Sequence, residues 1–298
     1  MSVTLIKGER AVNFIELCKV KISLFSACSA LAGFLCSPDH SPVKTSLLFG
    51  GMFLLASGSS SLNQYQERNI DILMPRTAER PIPSARTGAF QALSFSCLLI
   101  GTGTLVLAAA ISLAAGMLGL GTVLWYNGLY TCLKKKSAYA ILPGALTGIM
   151  PPVIGWVAGG GVLTDPCLVY LCCFFFLWQI AHSLLIIIEY GKEFELAGLP
   201  SLTMVFTSRQ LSRITSIWIF AVGITCLLLP LFVSPPPLDL WLVLLMGVFL
   251  RLTFSAGQLL QDRSIAYSTL SKSLYAVMSI ILIALTAPES LRRILSGQ

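Results

Sequence analysis

Long apolar runs separated by short polar segments make up most of the chain. Nine runs come close to the roughly 20 residues that a helix needs to cross a bilayer core about 30 Å thick. Residues 168–178 (LVYLCCFFFLW) are apolar at every position, whereas a membrane barrel strand alternates apolar and polar positions. The pattern therefore predicts an all-α, polytopic membrane protein with one domain over residues 1–298. The nine predicted spans are 12–35, 45–62, 88–107, 109–130, 138–158, 166–188, 214–233, 238–258 and 271–288.

Composition agrees with this pattern. Hydrophobic residues make up 55% of the chain, charged residues 11%, and the mean hydropathy is +0.82, which excludes an ordinary soluble domain. The formal net charge is +7, and of the 20 Lys and Arg residues all but Lys44, Arg292 and Arg293 fall on one side of the nine-span arrangement. The positive-inside rule then places the amino terminus and the loops after spans 2, 4, 6 and 8 in the cytoplasm. Because membrane orientation explains the charge, we expect no nucleic-acid partner.

The first apolar run carries Lys19 and Lys21 near its cytoplasmic end. It lacks the short apolar region and small-residue cleavage site of a secretory signal peptide. The sequence thus predicts a multi-pass protein of the cell (inner) membrane of a prokaryote. The simpler interpretation of the two lysines is that their stems snorkel to the membrane interface.

Polar residues are densest at residues 63–81, where the second apolar run ends. Asn63, Glu67 and Asp71 follow one another at intervals of four, so they share one helical face. Ionisable side chains at a membrane boundary are costly to place and are usually functional. Basic residues follow closely, namely Arg68, Arg76, Arg80 and Arg86.

A second polar segment ends the sixth run. Glu189 and Glu193 are again four residues apart, each 122 positions after its counterpart in the first pair. This weak repeat predicts two acidic helix ends on the same cytoplasmic face. Trp178 and His182 precede the second pair, and a single His in an apolar span also fits a plain hydrogen bond to a backbone carbonyl.

Two further segments lie between these pairs. Lys134 to Lys136 follow two tyrosines at the end of the fourth run, a combination common at membrane interfaces. Residues 143–156 (PGALTGIMPPVIGW) combine glycines with prolines. We expect this span to be a broken helix that packs closely against a neighbour or makes room for a bulky group.

The two acidic pairs suggest a diphosphate site. Magnesium binds through one or two carboxylates together with substrate phosphates, and arginine or lysine can hold the remaining phosphate oxygens. Such a clamp would stabilise the departing diphosphate of an allylic substrate. The plain alternative for a single motif is a solvated face of salt bridges, but two motifs on one membrane face favour a site.

Three segments carry a resemblance to the UbiA-type intramembrane prenyltransferases, most closely to the protoheme IX farnesyltransferases (heme O synthases). The first resembles the family motif N-x3-D-R-x2-D-x2-M-x-R-T-x2-R-P, the second its Y-T-x-L-K-R and M-P-P-x-I-G-W runs, and the third its WQ-x2-H and AG-x-P-x-L runs. Glu67 and Glu193 stand where the family usually has aspartate. The matching residues are Asn63, Arg68, Asp71, Met74, Arg76, Thr77, Arg80, Pro81, Tyr130, Thr131, Leu133, Lys134, Met150, Pro151, Pro152, Ile154, Gly155, Trp156, Trp178, Gln179, His182, Ala197, Gly198, Pro200 and Leu202.

The resemblance implies a nine-helix UbiA-like bundle that transfers farnesyl from farnesyl diphosphate to a vinyl group of heme B, with Mg²⁺ as cofactor. His182 and Trp178 would contact the porphyrin. The catalytic and metal-holding residues would be Asn63, Glu67, Asp71 and Glu193. The diphosphate would be bound by Arg68, Arg76, Arg80, Lys134 and Lys135.

Other partners and functions follow less directly. Membrane lipid surrounds such a bundle, and a heme A synthase or a terminal oxidase would act downstream of it. One alternative is a UbiA-type prenyltransferase acting on a quinone precursor or a lipid acceptor. Another is a transporter of an anionic substrate, since cationic cavities beside broken helices also occur there.

Overall fold

The computed structural model describes residues 11–38, 41–233, 238–261 and 267–286, so Arg292 and Arg293 lie outside the described residues. Every regular element in those ranges is helical, which confirms the all-α prediction. The main helices are α1 (Ala11–Leu17), α2 (Val20–Leu35), α3 (Pro42–Asp71), α4 (Pro75–Ala78), α5 (Ala89–Val106), α6 (Leu113–Val123), α7 (Thr131–Leu133), α8 (Ile141–Ala158), α9 (Pro166–Leu196), α10 (Ser208–Leu228), α11 (Leu238–Leu260) and α12 (Tyr267–Thr286).

Helices occupy each of the nine predicted spans as far as the described ranges extend. Six helical segments are long and apolar enough to cross a membrane alone, and α1 with α2 adds a seventh if this pair, bent by 50°, counts as one span. The other two are α6, which continues through a π-helical segment (Leu124–Tyr130) into α7, and α12, whose apolar part is Thr269–Ile283. The structure therefore establishes an integral membrane bundle, and the count of nine spans stays a prediction.

The bend in the first span falls at Lys19. This residue has φ 44° and ψ 55°, the left-handed conformation, which is uncommon for a residue other than glycine. Its backbone therefore interrupts the helix between α1 and α2. The first span is consequently two helices rather than the single one that its hydropathy suggested.

The glycine- and proline-rich span folds differently from our expectation. Helix α8 runs without interruption through Pro151 and Pro152, so the prediction of a broken helix is wrong. Proline is tolerated in a membrane helix when neighbouring groups satisfy the freed backbone. The expected close packing is present, because a Cβ at Gly155 would lie 1.8 Å from the carbonyl oxygen of Ala30 on α2.

The lengths of helices α3 and α9 explain where the two polar segments lie. Helices α3 and α9 contain 30 and 31 residues. At about 1.5 Å per residue each is roughly 45 Å long, longer than a hydrocarbon core of about 30 Å. The two acidic pairs lie on the carboxyl-terminal turns of these helices. Those turns can therefore extend past the apolar layer, while the preceding turns pack inside the bundle.

Candidate active site

The last turns of α3 bury three of the predicted site residues. Asn63, Glu67 and Asp71 are only 2%, 6% and 1% exposed. A buried carboxylate is stable only when it is paired or hydrogen-bonded. The partners of these acids therefore determine what the site can bind.

Asp71 is paired with Arg80. The chain turns after α3, short helix α4 follows, and the hydroxyl of Thr77 donates to the carbonyl oxygen of Asp71 at 2.8 Å. This turn returns Arg80 to the end of α3, where its Nη1 donates to Asp71 Oδ2 at 2.7 Å. A guanidinium has five N–H donors in a planar fork, so one bond to a carboxylate does not exhaust its capacity for phosphate.

Glu67 is paired with Lys134. The Lys134 ammonium contacts Glu67 Oε1 and lies 5.9 Å from the centroid of the Tyr130 ring. Tyr130 itself stacks on Tyr126 at a centroid distance of 5.6 Å. Both tyrosines belong to the π-helical segment Leu124–Tyr130, and such segments occur frequently at functional sites.

An amide network anchors this segment to α3. Asn63 Nδ2 donates to Thr131 Oγ1 at 3.2 Å. Asn127 donates to the carbonyl oxygen of Ser59 at 3.0 Å and to Gln66 Oε1 at 3.1 Å. Asn127 is not among the residues predicted from the sequence, where its signal is an isolated amide inside an otherwise apolar run. The network fixes the register between Glu67 and the lysine that pairs with it.

Lys19 also belongs to the charged cluster. It lies close enough to Glu67, Asp71, Arg80 and Lys134 to interact electrostatically with all four. The left-handed backbone at this residue positions it at the bend between α1 and α2. Lys19 therefore lies near the charged cluster, and the snorkelling of its stem to the interface stays a prediction.

The two polar segments meet through Arg76 and Tyr190. The Arg76 guanidinium carbon lies 4.8 Å from the centroid of the Tyr190 ring on α9. Tyr190 interacts electrostatically with both Glu189 and Glu193. Glu193 Oε2 is buried and has no hydrogen-bond partner among the described residues. Tyr190, which lies between the two acids of its segment, is not among the residues predicted from the sequence.

The remaining two predicted phosphate ligands make different contacts. Arg68 Nη1 donates to the carbonyl oxygen of Tyr65 at 2.7 Å, and its guanidinium lies 4.3 Å from the centroid of the same residue's ring. Lys135 Nζ donates to the carbonyl oxygen of Gln66 at 3.4 Å. These contacts are to main-chain oxygens of α3 rather than to the carboxylates. Their part in phosphate binding stays a prediction.

A cavity of about 1100 Å³ lies beside this cluster, between α2, α3, α6, α8, α9 and α12. Its walls are mostly aliphatic, aromatic and hydroxyl-bearing side chains. Three lysines line it (Lys21, Lys134 and Lys272), and no acid is found among its described lining residues. Since Lys134 also pairs with Glu67, the cavity and the charged cluster are adjacent.

An aromatic group forms part of the cavity wall. His182 Nε2 lies 3.0 Å from the hydroxyl of Tyr275, and Trp178 stacks on His182 with ring centroids 5.1 Å apart. The indole of Trp178 donates to the carbonyl oxygen of Leu274 at 3.0 Å. His182 therefore bonds a side chain of α12 rather than the backbone carbonyl of the plain alternative. Tyr275 had no assigned role in the sequence.

The side-chain oxygen atoms of the cluster fit a magnesium ion whose coordination shell would be completed by phosphate oxygens. All are hard oxygen ligands, and one of them, Glu193 Oε2, is buried without a partner. Within the described part of the chain no three His, Cys, Asp or Glu side chains are gathered as a metal site. The described structure therefore does not gather Glu67, Asp71 and Glu193 as one three-carboxylate metal site, and their shared metal role stays a prediction.

Comparison with known proteins agrees with these features. The model of the UbiA prenyltransferase family matches residues 24–287. A protoheme IX farnesyltransferase from Nitratidesulfovibrio vulgaris (strain Hildenborough) is 35% identical over 277 residues, covering 91% of this chain and 94% of that protein. A protein of the same name from Geobacter sulfurreducens is 36% identical over 212 residues, covering 71% of this chain and 78% of that protein.

A solved structure shares the fold. A UbiA homolog from Archaeoglobus fulgidus, bound to GPP and Mg²⁺, superposes with a TM-score of 0.70 over 93% of this chain and 100% of that one, at 14% sequence identity. At such low identity the likeness concerns the arrangement of helices. The family match, by contrast, covers most of the sequence and argues against the transporter alternative.

Proposed function

Because the chain belongs to the UbiA prenyltransferase family, we propose that this prenyltransferase moves a farnesyl group from farnesyl diphosphate to a vinyl group of heme B. The product would be heme O. The relatives named protoheme IX farnesyltransferase, similar over most of the chain, support this acceptor.

One observation carries the proposal. Lys134 pairs with buried Glu67 and also lines the cavity whose wall includes His182. A diphosphate bound at the charged cluster would therefore lie next to an apolar chamber of about 1100 Å³. An allylic diphosphate needs this combination, because its leaving group is strongly anionic and its isoprenoid tail is hydrocarbon.

The basic residues of the cluster would stabilise the leaving group. Arg80, Arg76 and Lys134 are the predicted phosphate ligands whose contacts join the site. Two unit charges about 4 Å apart interact by about 4 kcal/mol at an effective dielectric near 20. Several such contacts would lower the barrier to breaking the bond between farnesyl C1 and the diphosphate oxygen.

Asn63, Glu67, Asp71 and Glu193 would hold the magnesium ion. When bound, Mg²⁺ supplies additional positive charge to the diphosphate oxygens. Glu67 and Asp71 each have two carboxylate oxygens, so an ion pair at one oxygen leaves the other available. The acids also keep the surrounding basic side chains in position before substrate enters.

The carbon chemistry would take place in the cavity. Diphosphate departs with the electron pair of the C–O bond, and the vinyl group supplies the electrons for the new C–C bond. Water then adds to the resulting cation and loses a proton, which gives a hydroxyethylfarnesyl substituent. His182 and Trp178 would hold the porphyrin, and the aliphatic walls of the cavity would hold the farnesyl tail.

The orientation of the protein follows from its charges. The chain is an integral membrane protein, and we place the acidic helix ends on the cytoplasmic side of the cell membrane of a prokaryote. Prenylated heme would then pass to an enzyme of heme A synthesis or to a terminal oxidase.

A competition assay tests the choice of acceptor. Detergent-purified protein would receive radiolabelled farnesyl diphosphate, Mg²⁺ and equal amounts of heme B, 4-hydroxybenzoate and a glyceryl phosphate lipid. We expect the label in the heme fraction. Label in the aromatic acid or the lipid would replace our proposal with the corresponding alternative within the family.

A further inference from the structure

Two lysines of the cavity have no role in the reaction described above. Lys21 on α2 and Lys272 on α12 both line the cavity, and both are exposed. Neither forms an ion pair or a hydrogen bond with another described residue, whereas Lys134 is paired with Glu67. A cavity wall with two lysines that pair with no other described side chain attracts an anion.

The packing of α2 on α12 brings these lysines to one region. The rings of Phe25 and Tyr275 are 5.7 Å apart between centroids, which fixes the two helices against each other at that level. Lys21 precedes Phe25 by four residues, and Lys272 precedes Tyr275 by three. Residues at these spacings share a helical face. Each lysine thus lies about one turn, roughly 5 Å, before the contacting aromatic pair.

The same aromatic pair connects the lysines to the proposed acceptor site. The Tyr275 hydroxyl lies 3.0 Å from His182, and the Tyr275 and Trp178 ring centroids are 5.5 Å apart. In the predicted topology α2 and α12 both start on the cytoplasmic side. Both lysines then lie toward the cytoplasm from the aromatic group, where an acidic edge of a flat ligand could meet them.

Given the proposed function, we infer that Lys21 and Lys272 bind the two propionate carboxylates of the acceptor porphyrin. Heme B has two carboxylates along one edge, and the described cavity wall likewise has two lysines that form no ion pair with another described residue. Carboxylates can pair with these lysines while the macrocycle lies against Trp178 and His182. The vinyl groups, which lie on other edges of the ring, would then be directed away from the lysines.

This subsite would also affect which acceptor the protein selects. A hydrophobic pocket by itself discriminates weakly among flat apolar acceptors, whereas ion pairs with two lysines add affinity only for an acceptor that carries carboxylates. An acceptor without acidic groups would form neither ion pair. The lysines therefore favour a diacidic tetrapyrrole over a neutral quinone precursor.

The test compares heme B with its dimethyl ester, in which both carboxylates are capped. Binding would be followed by absorbance titration of detergent-purified wild type and of the variants Lys21→Met, Lys272→Met and the double variant. We expect the affinity for heme B to fall about fivefold in each single variant and roughly twentyfold in the double variant. The affinity for the dimethyl ester would be unchanged in all of them.

Lys136→Met serves as the matched control, because Lys136 is exposed and does not line the cavity. Lys21→Arg and Lys272→Arg, which keep the charge, should keep the preference for the diacid. An equal loss for heme B and its ester, or no loss for either, would overturn the inference even if wild type farnesylates heme. Wild type that neither binds nor farnesylates heme B would instead reject the proposed function and this subsite with it.

Discussion

Arg80 Nη1 lies 2.7 Å from Asp71 Oδ2, although the two residues are nine positions apart and Arg80 lies in the turn that follows α4. Asp71 is the last residue of α3 and is 1% exposed, so its charge depends on this arginine for compensation. The end of α3 therefore presents two charged groups. The Arg80 guanidinium can also bind an anionic phosphate, and the Asp71 carboxylate can also bind a cation.

The first prediction concerns Asp71 itself. Asp71→Asn keeps the size of the side chain but removes the charge that faces Arg80 and would face Mg²⁺. We expect the rate of diphosphate release to fall by about 10² or more, which is typical for loss of one group that stabilises a developing charge. Glu79→Gln is the control, since Glu79 is exposed on the same turn. Intact turnover in Asp71→Asn would refute the proposed clamp.

The second prediction concerns the pair of Glu67 and Lys134. Lys134→Met would leave the Glu67 carboxylate buried without its partner. The Glu67 side chain is 8% exposed and the Lys134 side chain 26% exposed. Because Lys134 is partly exposed, we expect the free energy of unfolding to fall by about 1–3 kcal/mol. Adding Glu67→Gln should recover most of that loss, since no unpaired charge then remains. Thermal unfolding in detergent measures both effects, and a purely additive double variant would contradict direct pairing.

The third prediction concerns the unusual length of Glu193. This side chain reaches one methylene further than the aspartate usual in the family, and its buried Oε2 has no hydrogen-bond partner among the described residues. Glu193→Asp would withdraw the carboxylate, so we expect the Mg²⁺ concentration for half-maximal activity to rise about tenfold. Glu189→Asp, at an exposed position on the same helix, should leave it unchanged. Equal shifts in the two variants would argue against a metal role for Glu193.

The fourth prediction separates the acceptor from the donor. His182→Ala should raise KM for heme B about tenfold or more and leave KM for farnesyl diphosphate near its wild-type value, because His182 lies in the aromatic group of the cavity. Tyr275→Phe removes only the hydroxyl that bonds His182, so its effect on heme should be smaller. If His182→Ala weakens both substrates equally, the residue does not act on the porphyrin.

The fifth prediction tests the packing that supports the cavity. A Cβ at Gly155 would lie 1.8 Å from the Ala30 carbonyl oxygen, so Gly155→Ala must push α8 away from α2. We expect a loss of about 1–3 kcal/mol in unfolding free energy. Gly101→Ala is the control, because nothing lies within 4 Å of a Cβ there. A Gly155 variant as stable as wild type would show that the helices separate without cost.

Some of this arrangement could be predicted from the sequence. Helical periodicity alone predicts that Glu67 and Asp71 share one face of α3. Both residues are buried, so that face packs inside the protein. The pairing of Asp71 with Arg80 could not be predicted, because it depends on the turn through α4. The left-handed backbone of Lys19 has no sequence signal either, since lysine rarely adopts that conformation.

Contacts between distant helices were the least predictable part. His182 and Tyr275 are 93 positions apart in two apolar helices whose patterns do not specify their relative rotation. The hydropathy pattern predicts an interfacial position for Lys21, because hydropathy cannot show that a side chain lines a cavity. Proline positions likewise suggested a break in α8, but the surrounding helices keep it continuous.

The most direct test is the mass of the heme after reaction. Wild-type protein in detergent would be incubated with farnesyl diphosphate, heme B and Mg²⁺ in ¹⁸O-labelled water, and the extracted heme analysed by mass spectrometry. We predict a product heavier than heme B by one farnesyl group and one hydroxyl group, with the ¹⁸O retained in that hydroxyl. Unchanged heme, recovered while the same protein farnesylates another acceptor, would contradict the account.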